Sequence, residues 1–436
     1  MNEAGVVAWA QAGGRGRWIE RALRARVLSL LRELRGCSIS LREGAATATL
    51  GQPSADARDT LRCTLRVHDP AFYRRAALGG SVGAGEAYME GYWDCDDLVT
   101  LVRILLRNRE RLDALERGPA RASGLLLRTW AALRRNSHRG SRRNIAAHYD
   151  LGNEFFRLFL DDNLMYSSAL FASEQDTLET ASRRKLDRIC QKLQLSPRTR
   201  VIEIGSGWGG FALHAAAHYG CHVTTATISR EQYQLARERV ASAGLQQRID
   251  VVLRDYRELD GRYDRLVSIE MIEAIGHQYL DTYFRKLGEL LEADGMALIQ
   301  AITIEDHRYL QALHSVDFIK RHVFPGSFIP SISAMLGAMA RVGDLKLWQL
   351  EDIGPSYALT LRAWRERFLQ QRDAVLALGF PERFVRLWEF YLAYCEGGFI
   401  ERTTGDVQML LTRPGARPPQ CLPLTAVAAG SGNNNS

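Results

Sequence analysis

A glycine-rich segment follows a short apolar run near the middle of the chain. It has the sequence Glu203-Ile-Gly-Ser-Gly-Trp-Gly209 and precedes a stretch with the apolar spacing of a helix. Glycines at a strand-to-helix turn let the backbone approach a ligand closely, and ligands collect at the carboxyl ends of parallel strands. The segment therefore predicts a cofactor site formed by Glu203, Gly205, Gly207, Trp208 and Gly209.

Residues around this turn indicate which cofactor is bound. The spacing is ExGxGxG rather than GxGxxG, and no acidic residue ends the second strand, where a dinucleotide ribose needs one. Thr227, Ile228 and Gln232 lie in that region instead. Asp255 and Tyr256 follow the third strand, where a polar side chain commonly meets an adenine edge. These residues favour S-adenosylmethionine over NAD, and a tight turn without a ligand is the alternative.

Two carboxylates follow the fourth predicted strand, in Ser268-Ile-Glu-Met-Ile-Glu-Ala-Ile-Gly276. Residues at this edge of a parallel sheet face the ligand cleft. Either Glu270 or Glu273 could serve as a structural cap. Two carboxylates in an otherwise apolar loop nevertheless favour a functional role.

Alternating strands and helices must position these residues. Strands are predicted at 199–204, 221–227, 249–253, 263–269, 295–302 and 406–411, and helices at 211–219, 229–243 and 279–291. This alternation predicts an α/β fold with a doubly wound, mostly parallel sheet covered by helices. Residues 356–398 are predicted to be mainly helical and add helical insertions to it.

The first third of the chain has a different pattern. Residues 1–35 have the apolar spacing of a helix, and residues 37–67 contain three strand-like runs. We therefore predict a smaller N-terminal α+β domain at 1–135, with a linker around 117–143. A catalytic domain at 136–413 and a disordered tail at 414–436 complete the chain.

Charge and composition narrow the class of protein. Hydrophobic residues make up 46% of the 436 residues, which excludes disorder as the dominant state. Residues 1–143 contain 25 Arg, no Lys and 15 acidic residues, which suits an anionic membrane surface. Heavy arginine use from genomic base composition is the alternative. No recognition-helix or single-strand-binding signature accompanies the basic residues, so no nucleic acid partner is expected.

The same chain lacks several targeting and metal-binding signals. Arg15, Arg17 and Glu20 stand where a signal peptide needs an apolar core, and no apolar run is long enough to span a bilayer. The seven cysteines form no CxxC pair, which favours neither a disulfide framework nor a zinc site. We expect a reduced cytoplasmic protein without a bound metal.

Together with the motifs above, five further segments resemble the cyclopropane-fatty-acyl-phospholipid synthases. These segments are 83–94, 147–153, 164–168, 324–326 and 394–399. These S-adenosylmethionine-dependent lipid methyltransferases add a methylene group across a cis double bond of a phospholipid acyl chain. The resemblance covers most of residues 72–412 in the family's order. It implies a class I methyltransferase-type fold, an unsaturated phospholipid substrate, peripheral membrane contact and a homodimer.

The resemblance also implies a bicarbonate ion as the general base. Glu273 and Tyr357 match the positions that hold this ion, and Ile302 matches a backbone contact to it. Two positions depart from the family, because Ser168 stands where a cysteine is common and Gln300 where a histidine is common. A glutamine can hydrogen-bond an anion but cannot carry a charge or shuttle a proton.

Further roles follow from the resemblance. Tyr166 and Ser167 match residues that cover the cofactor, and Cys395 matches a cysteine near the site, where a buried packing role is the alternative. Methyl transfer to an alkene leaves a carbocation, which aromatic faces stabilise. The candidate aromatic residues are Tyr166, Trp208, Tyr256 and Tyr357, each with core packing as the alternative.

An apolar tunnel for the acyl chain is expected to be lined by residues 325–336 and by the helices of 356–398.

Two other functions stay open at this point. A related lipid methyltransferase would make a methyl- or methylene-branched chain from the same carbocation, and Gln300 keeps that alternative open. A non-catalytic lipid-binding protein is the alternative from another class.

Overall fold

The computed structural model describes residues 14–116 and 151–419. The predicted linker, most of the predicted tail and the first part of the 147–153 segment lie outside these ranges. Two β-sheets organise the described chain, one in each of the two predicted domains.

The N-terminal unit contains a four-stranded sheet in the order β2-β1-β3-β4. Strands β1 and β3 are parallel, and the other two pairs are antiparallel. In β1, Cys37, Ile39 and Leu41 point into the core because alternate residues of a strand share one face. The strands are β1 (Cys37–Glu43), β2 (Ala46–Leu50), β3 (Leu61–Val67) and β4 (Trp93–Cys95), and the helices are Gly14–Glu33, Ala71–Met89, Leu98–Arg107 and Arg109–Glu116.

The second unit contains a seven-stranded sheet in the order β10-β11-β9-β8-β5-β6-β7. The five strands from β9 to β7 are parallel, and β11 lies antiparallel between β9 and β10. The expected doubly wound, mostly parallel sheet is thereby confirmed. The strands are β5 (Arg200–Ile204), β6 (His222–Thr227), β7 (Ile249–Leu253), β8 (Tyr263–Ile269), β9 (Leu291–Ile304), β10 (Lys346–Asp352) and β11 (Thr404–Thr412).

Helices cover both faces of this sheet and form the insertions after β9 and β10. The Ser229 side chain accepts a hydrogen bond from the backbone N–H of Gln232 and so caps the helix that follows β6. The helices are Asn153–Arg157, Leu178–Lys192, Gly210–Tyr219, Arg230–Ser242, Leu280–Leu290, Tyr309–Leu313, Phe318–His322, Ile332–Val342, Gly354–Gln370, Arg372–Ala377 and Glu382–Ile400. None of the helices in the described ranges combines the length and apolar character needed to cross a membrane.

The two units share one apolar core. Helix Glu382–Ile400 packs against helices Leu98–Arg107 and Ala71–Met89 of the N-terminal unit. A Cβ atom on Gly397 would lie 2.7 Å from Val102 Cγ1, so a glycine is needed for this close approach. The pairs Arg103–Glu401 at 2.7 Å and Arg386–Asp94 at 2.7 Å add polar contacts at the rim. The N-terminal unit is therefore a fixed part of the molecule.

Candidate active site

The predicted cofactor loop lies at the carboxyl end of β5. Gly205, Gly207 and Gly209 have φ angles of +93°, +49° and +83°, which side chains other than glycine rarely adopt. A Cβ atom on Gly205 would also lie 3.0 Å from the Met271 side chain. These positive φ angles explain the glycine spacing, and the N–H groups of Gly205 and Ser206 both donate to the carbonyl of Ala226, which fixes the turn.

A cavity of about 740 Å³ opens in front of this loop. It is bordered by every predicted cofactor residue except Gly209, which lies at the start of the helix. These residues are Tyr166, Ser167, Glu203, Gly205, Gly207, Trp208, Thr227, Ile228, Gln232, Asp255 and Tyr256.

Several of these polar side chains form hydrogen bonds with nearby side chains. Asp255 accepts hydrogen bonds from Arg257 at 2.6–3.0 Å, and Thr227 Oγ1 donates to Gln232 Oε1 at 2.8 Å. Glu203 Oε2 accepts a hydrogen bond from Thr225 Oγ1 at 2.5 Å. Burial raises the pKa of Glu203 to about 8, so this carboxyl binds a proton far more readily than an exposed one.

The carboxylate of Glu270 receives three hydrogen bonds from three separate parts of the chain. Its Oε1 accepts from the backbone N–H of Ser168 at 2.8 Å and from Gln300 Nε2 at 2.8 Å. Its Oε2 accepts from the hydroxyl of Tyr357 at 2.7 Å. Glu270 has a φ of +48°, an uncommon conformation for a residue other than glycine. The side chain is therefore positioned by contacts that offset local backbone strain.

A second acid and a lysine lie beside Glu270. Asp406 Oδ2 accepts from Gln300 Nε2 at 3.0 Å, while Asp406 Oδ1 has no hydrogen-bond partner in the described chain. The Lys185 amine is fully buried and donates to Ser167 Oγ at 2.8 Å. Burial raises the pKa of both Glu270 and Asp406, and the neighbouring Glu270 raises the pKa of Asp406 further. Burial lowers the pKa of Lys185, whereas the nearby carboxylates raise it.

Glu273 projects into the same cavity. Its Oε1 accepts from the backbone N–H of Ile302 at 2.6 Å, and its Oε2 has no hydrogen-bond partner among the residues described. Burial and the neighbouring Glu270 raise the pKa of Glu273 to about 8. At neutral pH this carboxyl is mostly protonated, which limits its repulsion of Glu270.

The residues predicted to hold bicarbonate are thus bonded to carboxylates of the chain itself. Ser168, Gln300 and Tyr357 donate to Glu270, and Ile302 donates to Glu273. Ser168 and Gln300 lie behind Glu270 and do not border the cavity. This arrangement does not fit a further small anion held by the same donors.

Cys395 and the candidate aromatic residues also border the cavity. Burial raises the pKa of the Cys395 thiol, so the group stays protonated and suits the packing alternative. Tyr166 has its hydroxyl 2.9 Å from that of Tyr391, a residue that the sequence analysis did not single out. Trp208 Nε1 donates to Asn153 Oδ1 at 2.7 Å, and its ring packs against Phe156 with the ring centroids 4.9 Å apart.

Three polar residues of the site were missed as candidates or left without a role. Glu270 was considered with Glu273 for a functional role, but the family resemblance assigned a role to Glu273 alone. Asp406 and Lys185 lie on β11 and on helix Leu178–Lys192, far from any motif. No local sequence signal could have assigned these two residues to the site.

The N-terminal unit forms part of the cavity wall. Val27, Leu31, Phe72, Leu101 and Val102 border the cavity from that side. The expected tunnel residues contribute as well, although only 325 and 327–329 of the 325–336 stretch do so. The apolar wall is therefore built by both units and not by the catalytic unit alone.

The sheet order and the glycine-rich loop define a class I methyltransferase-type fold. The solved structure of mycolic acid cyclopropane synthase CmaA1 complexed with SAH and CTAB has this fold. It is 29% identical, has a TM-score of 0.58, and covers 62% of this chain and 98% of that chain. Residues 136–409 match the family model described as "Mycolic acid cyclopropane synthetase", and the chain belongs to this family.

Two curated relatives extend the similarity into the N-terminal unit. Tuberculostearic acid methyltransferase UfaA1 of Mycobacterium tuberculosis is 40% identical over 368 residues, which are 82% of this chain and 85% of the relative. Cyclopropane-fatty-acyl-phospholipid synthase of Escherichia coli is 35% identical over 347 residues, which are 79% of this chain and 86% of the relative. The family thus includes enzymes named for two different lipid products.

Proposed function

We propose that this protein transfers a one-carbon unit from S-adenosylmethionine to the cis double bond of an unsaturated phospholipid acyl chain, forming a cyclopropane ring. The observation that carries this proposal is the single cavity that joins the glycine-rich loop, the buried carboxylates and an apolar wall. The names of the two relatives, one a fatty-acyl-phospholipid synthase and one a lipid methyltransferase, support it.

The loop after β5 and the residues around it suit the cofactor. The glycine-rich loop, whose backbone allows close approach, and the side chains of Gln232 and Asp255 would hold it at the carboxyl edge of the sheet. When bound, S-adenosylmethionine supplies an electrophilic methyl group. The chain's own task is to exclude water and to align the double bond with that group, since an alkene is a weak nucleophile.

The apolar wall suits an acyl chain. Leucine, valine and phenylalanine side chains of both units border the cavity next to the carboxylates. Burying a chain of methylene groups there contributes about 0.8 kcal/mol per CH₂, which offsets extraction from a bilayer. Tyr166, Trp208 and Tyr357 place aromatic rings along this wall, where they would stabilise a developing positive charge.

A methyl- or methylene-branched product is the second candidate. The 40% identity to a tuberculostearic acid methyltransferase favours it, as does Gln300 in the place where a histidine is common. Both products arise from the same carbocation, which either loses a proton from the transferred carbon with ring closure or first undergoes a 1,2-hydride shift. The choice depends on whether the base of the site removes that proton before the shift occurs. We derive no proton transfer through bicarbonate, because its expected donors are bonded to Glu270 and Glu273.

One assay tests both candidates. The full chain is incubated with vesicles of monounsaturated phospholipid and S-adenosylmethionine, and the extracted lipid is examined by mass spectrometry and proton NMR. A gain of one CH₂ with a far-upfield ring signal is the expected result. The same mass gain with a retained alkene signal would replace the ring by the methylene branch. No mass gain, with cofactor binding intact, would contradict lipid methylation and favour a binding protein.

A further inference from the structure

We propose that Glu270 is the resident base of this site and takes the place of a free anion in accepting the proton. This inference rests on the proposed function and identifies the group that completes it. The inference is based on the position of the Glu270 carboxylate. The three donors around it are those that the family resemblance assigns to bicarbonate, and they contact its two oxygen atoms at 2.7–2.8 Å.

The hydrogen bonds place the negative charge on Glu270 and the proton on Asp406. Glu270 accepts from Ser168, Gln300 and Tyr357, whereas the donor to Asp406 found among the described side chains is Gln300. A carboxylate with more donors is better stabilised in its charged form. The nearby Lys185 cation, buried in the same region, also favours a charge on Glu270. Burial keeps the pKa of Glu270 above its ordinary value, which makes the carboxylate a stronger base.

The position of Glu270 gives it access to the reacting carbon atom. It borders the cavity between the cofactor loop and the apolar wall, on the same side as Glu273. The donors Ser168 and Gln300 stand behind it, so they hold the carboxylate without separating it from the cavity. A base that is part of the chain is held at a fixed place, and its effective concentration does not depend on dissolved carbonate.

The electron pair of the lipid double bond forms the new carbon–carbon bond, while the methyl carbon–sulfur bond breaks toward sulfur. A Glu270 oxygen then accepts a proton from the transferred carbon. The released C–H electron pair closes the cyclopropane ring onto the adjacent cationic carbon. It forms an exocyclic double bond instead when a 1,2-hydride shift has first moved the cation to the carbon that carries the transferred group. Glu270 returns this proton to solvent once the product leaves.

Two substitutions at one position test this assignment. Glu270→Gln keeps the volume but removes the base, and Glu270→Gly suits the φ of +48° and leaves the three donors facing an open space. Glu292→Gln, on a surface carboxylate, is the control. Turnover is measured as S-adenosylhomocysteine release and lipid product, in carbonate-depleted buffer and with added bicarbonate.

The expected pattern differs between variants. The turnover rates of the original chain and of Glu292→Gln are the same with and without bicarbonate. Glu270→Gln is at least about 100-fold slower in both buffers, because a positioned base is lost. Glu270→Gly is equally slow in depleted buffer and recovers by about tenfold or more with bicarbonate, because the free anion then reaches the vacated donors.

A binding measurement makes the test independent of turnover. Carbon-13 NMR of labelled bicarbonate should show binding to Glu270→Gly and none to the original chain. Binding to the original chain, or activity of that chain that requires bicarbonate, would overturn the inference while leaving lipid methylation intact. Absence of methyl transfer in every sample would instead refute the proposed function, and the NMR result would still decide whether Glu270 occupies the anion position.

Discussion

The hydroxyl of Tyr357 is one of three donors that hold the Glu270 carboxylate. Removing it should weaken the positioning and the charge stabilisation of that group with little effect on folding. A hydrogen bond to a charged acceptor contributes about 2 kcal/mol. For Tyr357→Phe we therefore expect kcat/KM to fall on the order of 30-fold.

The control for this prediction is Tyr219→Phe. That hydroxyl also donates to a carboxylate, Asp187 at 3.1 Å, but it lies outside the cavity. Steady-state kinetics should show no change for the control. Equal losses in both variants would mean that the effect of Tyr357→Phe is a general loss of stability.

Glu203 provides a prediction about pH and stability. Its pKa of about 8 in the fold lies above the unfolded value of about 4.3, so the folded state binds the proton more tightly. The resulting stabilisation is complete below about pH 4.3 and is lost as pH rises toward about 8, by up to about 1.4 kcal/mol per unit. Glu203→Gln removes this loss. The Tm of this variant relative to that of the original chain should rise from pH 5 to pH 8. A Tm difference that stays constant with pH would contradict the raised pKa of Glu203.

At the scale of elements, the contact between helices Glu382–Ile400 and Leu98–Arg107 joins the two units. Gly397→Ala would place a methyl group 2.7 Å from Val102 Cγ1, and the helices would have to move apart. Overpacking of this kind costs about 1–3 kcal/mol, so Tm should fall. Gly79→Ala is the matched control because nothing lies within 4 Å of its Cβ position. A similar Tm for both variants would contradict this account of the contact.

The elements themselves were largely predictable from the sequence. The strands predicted at 249–253 and 263–269 have the observed bounds, because each is a short run rich in β-branched and other apolar residues. Strand β10 (Lys346–Asp352) was missed because it is an edge strand with four of its seven residues exposed, so its apolar pattern is weak. Strand β9 begins earlier than expected because residues 292–294, two acids and an alanine, extend it beyond the buried part.

The site was only partly predictable, for a different physical reason. Motifs identify residues that act near one another in sequence, such as the glycine-rich loop. The contacts of Glu270 join residues 168, 300 and 357, and a fourth residue, Asp406, comes from the last strand. Such convergence depends on the order of strands in the sheet, which no single segment encodes.

At the scale of the whole molecule, the first helix carries the basic and apolar groups suited to a membrane surface. Trp18 and Ile19 are 63% and 47% exposed, next to the exposed Arg21. We expect binding to vesicles of anionic phospholipid that weakens from about 0.1 M to about 1 M salt, because the Debye length falls from ~10 Å to ~3 Å. The variant combining Trp18→Ala with Arg21→Glu should bind less tightly in a sedimentation assay.

Neutral phosphatidylcholine vesicles are the control for this prediction. Binding that does not respond to salt or to the two substitutions would exclude this helix as the docking surface. Methyl transfer to detergent-dispersed lipid should be unchanged in the variant, since neither residue borders the cavity.

The shared wall of the cavity has a consequence for how lipid specificity can diverge. The residues that border it from the N-terminal unit, such as Leu31 and Leu101, lie outside the matched family region of 136–409. Under the proposed function, substitutions there would lengthen or shorten the space for a hydrocarbon tail without altering any group that handles the cofactor or the proton. Chain-length preference and reaction chemistry would then be separate traits, open to independent selection and independent engineering.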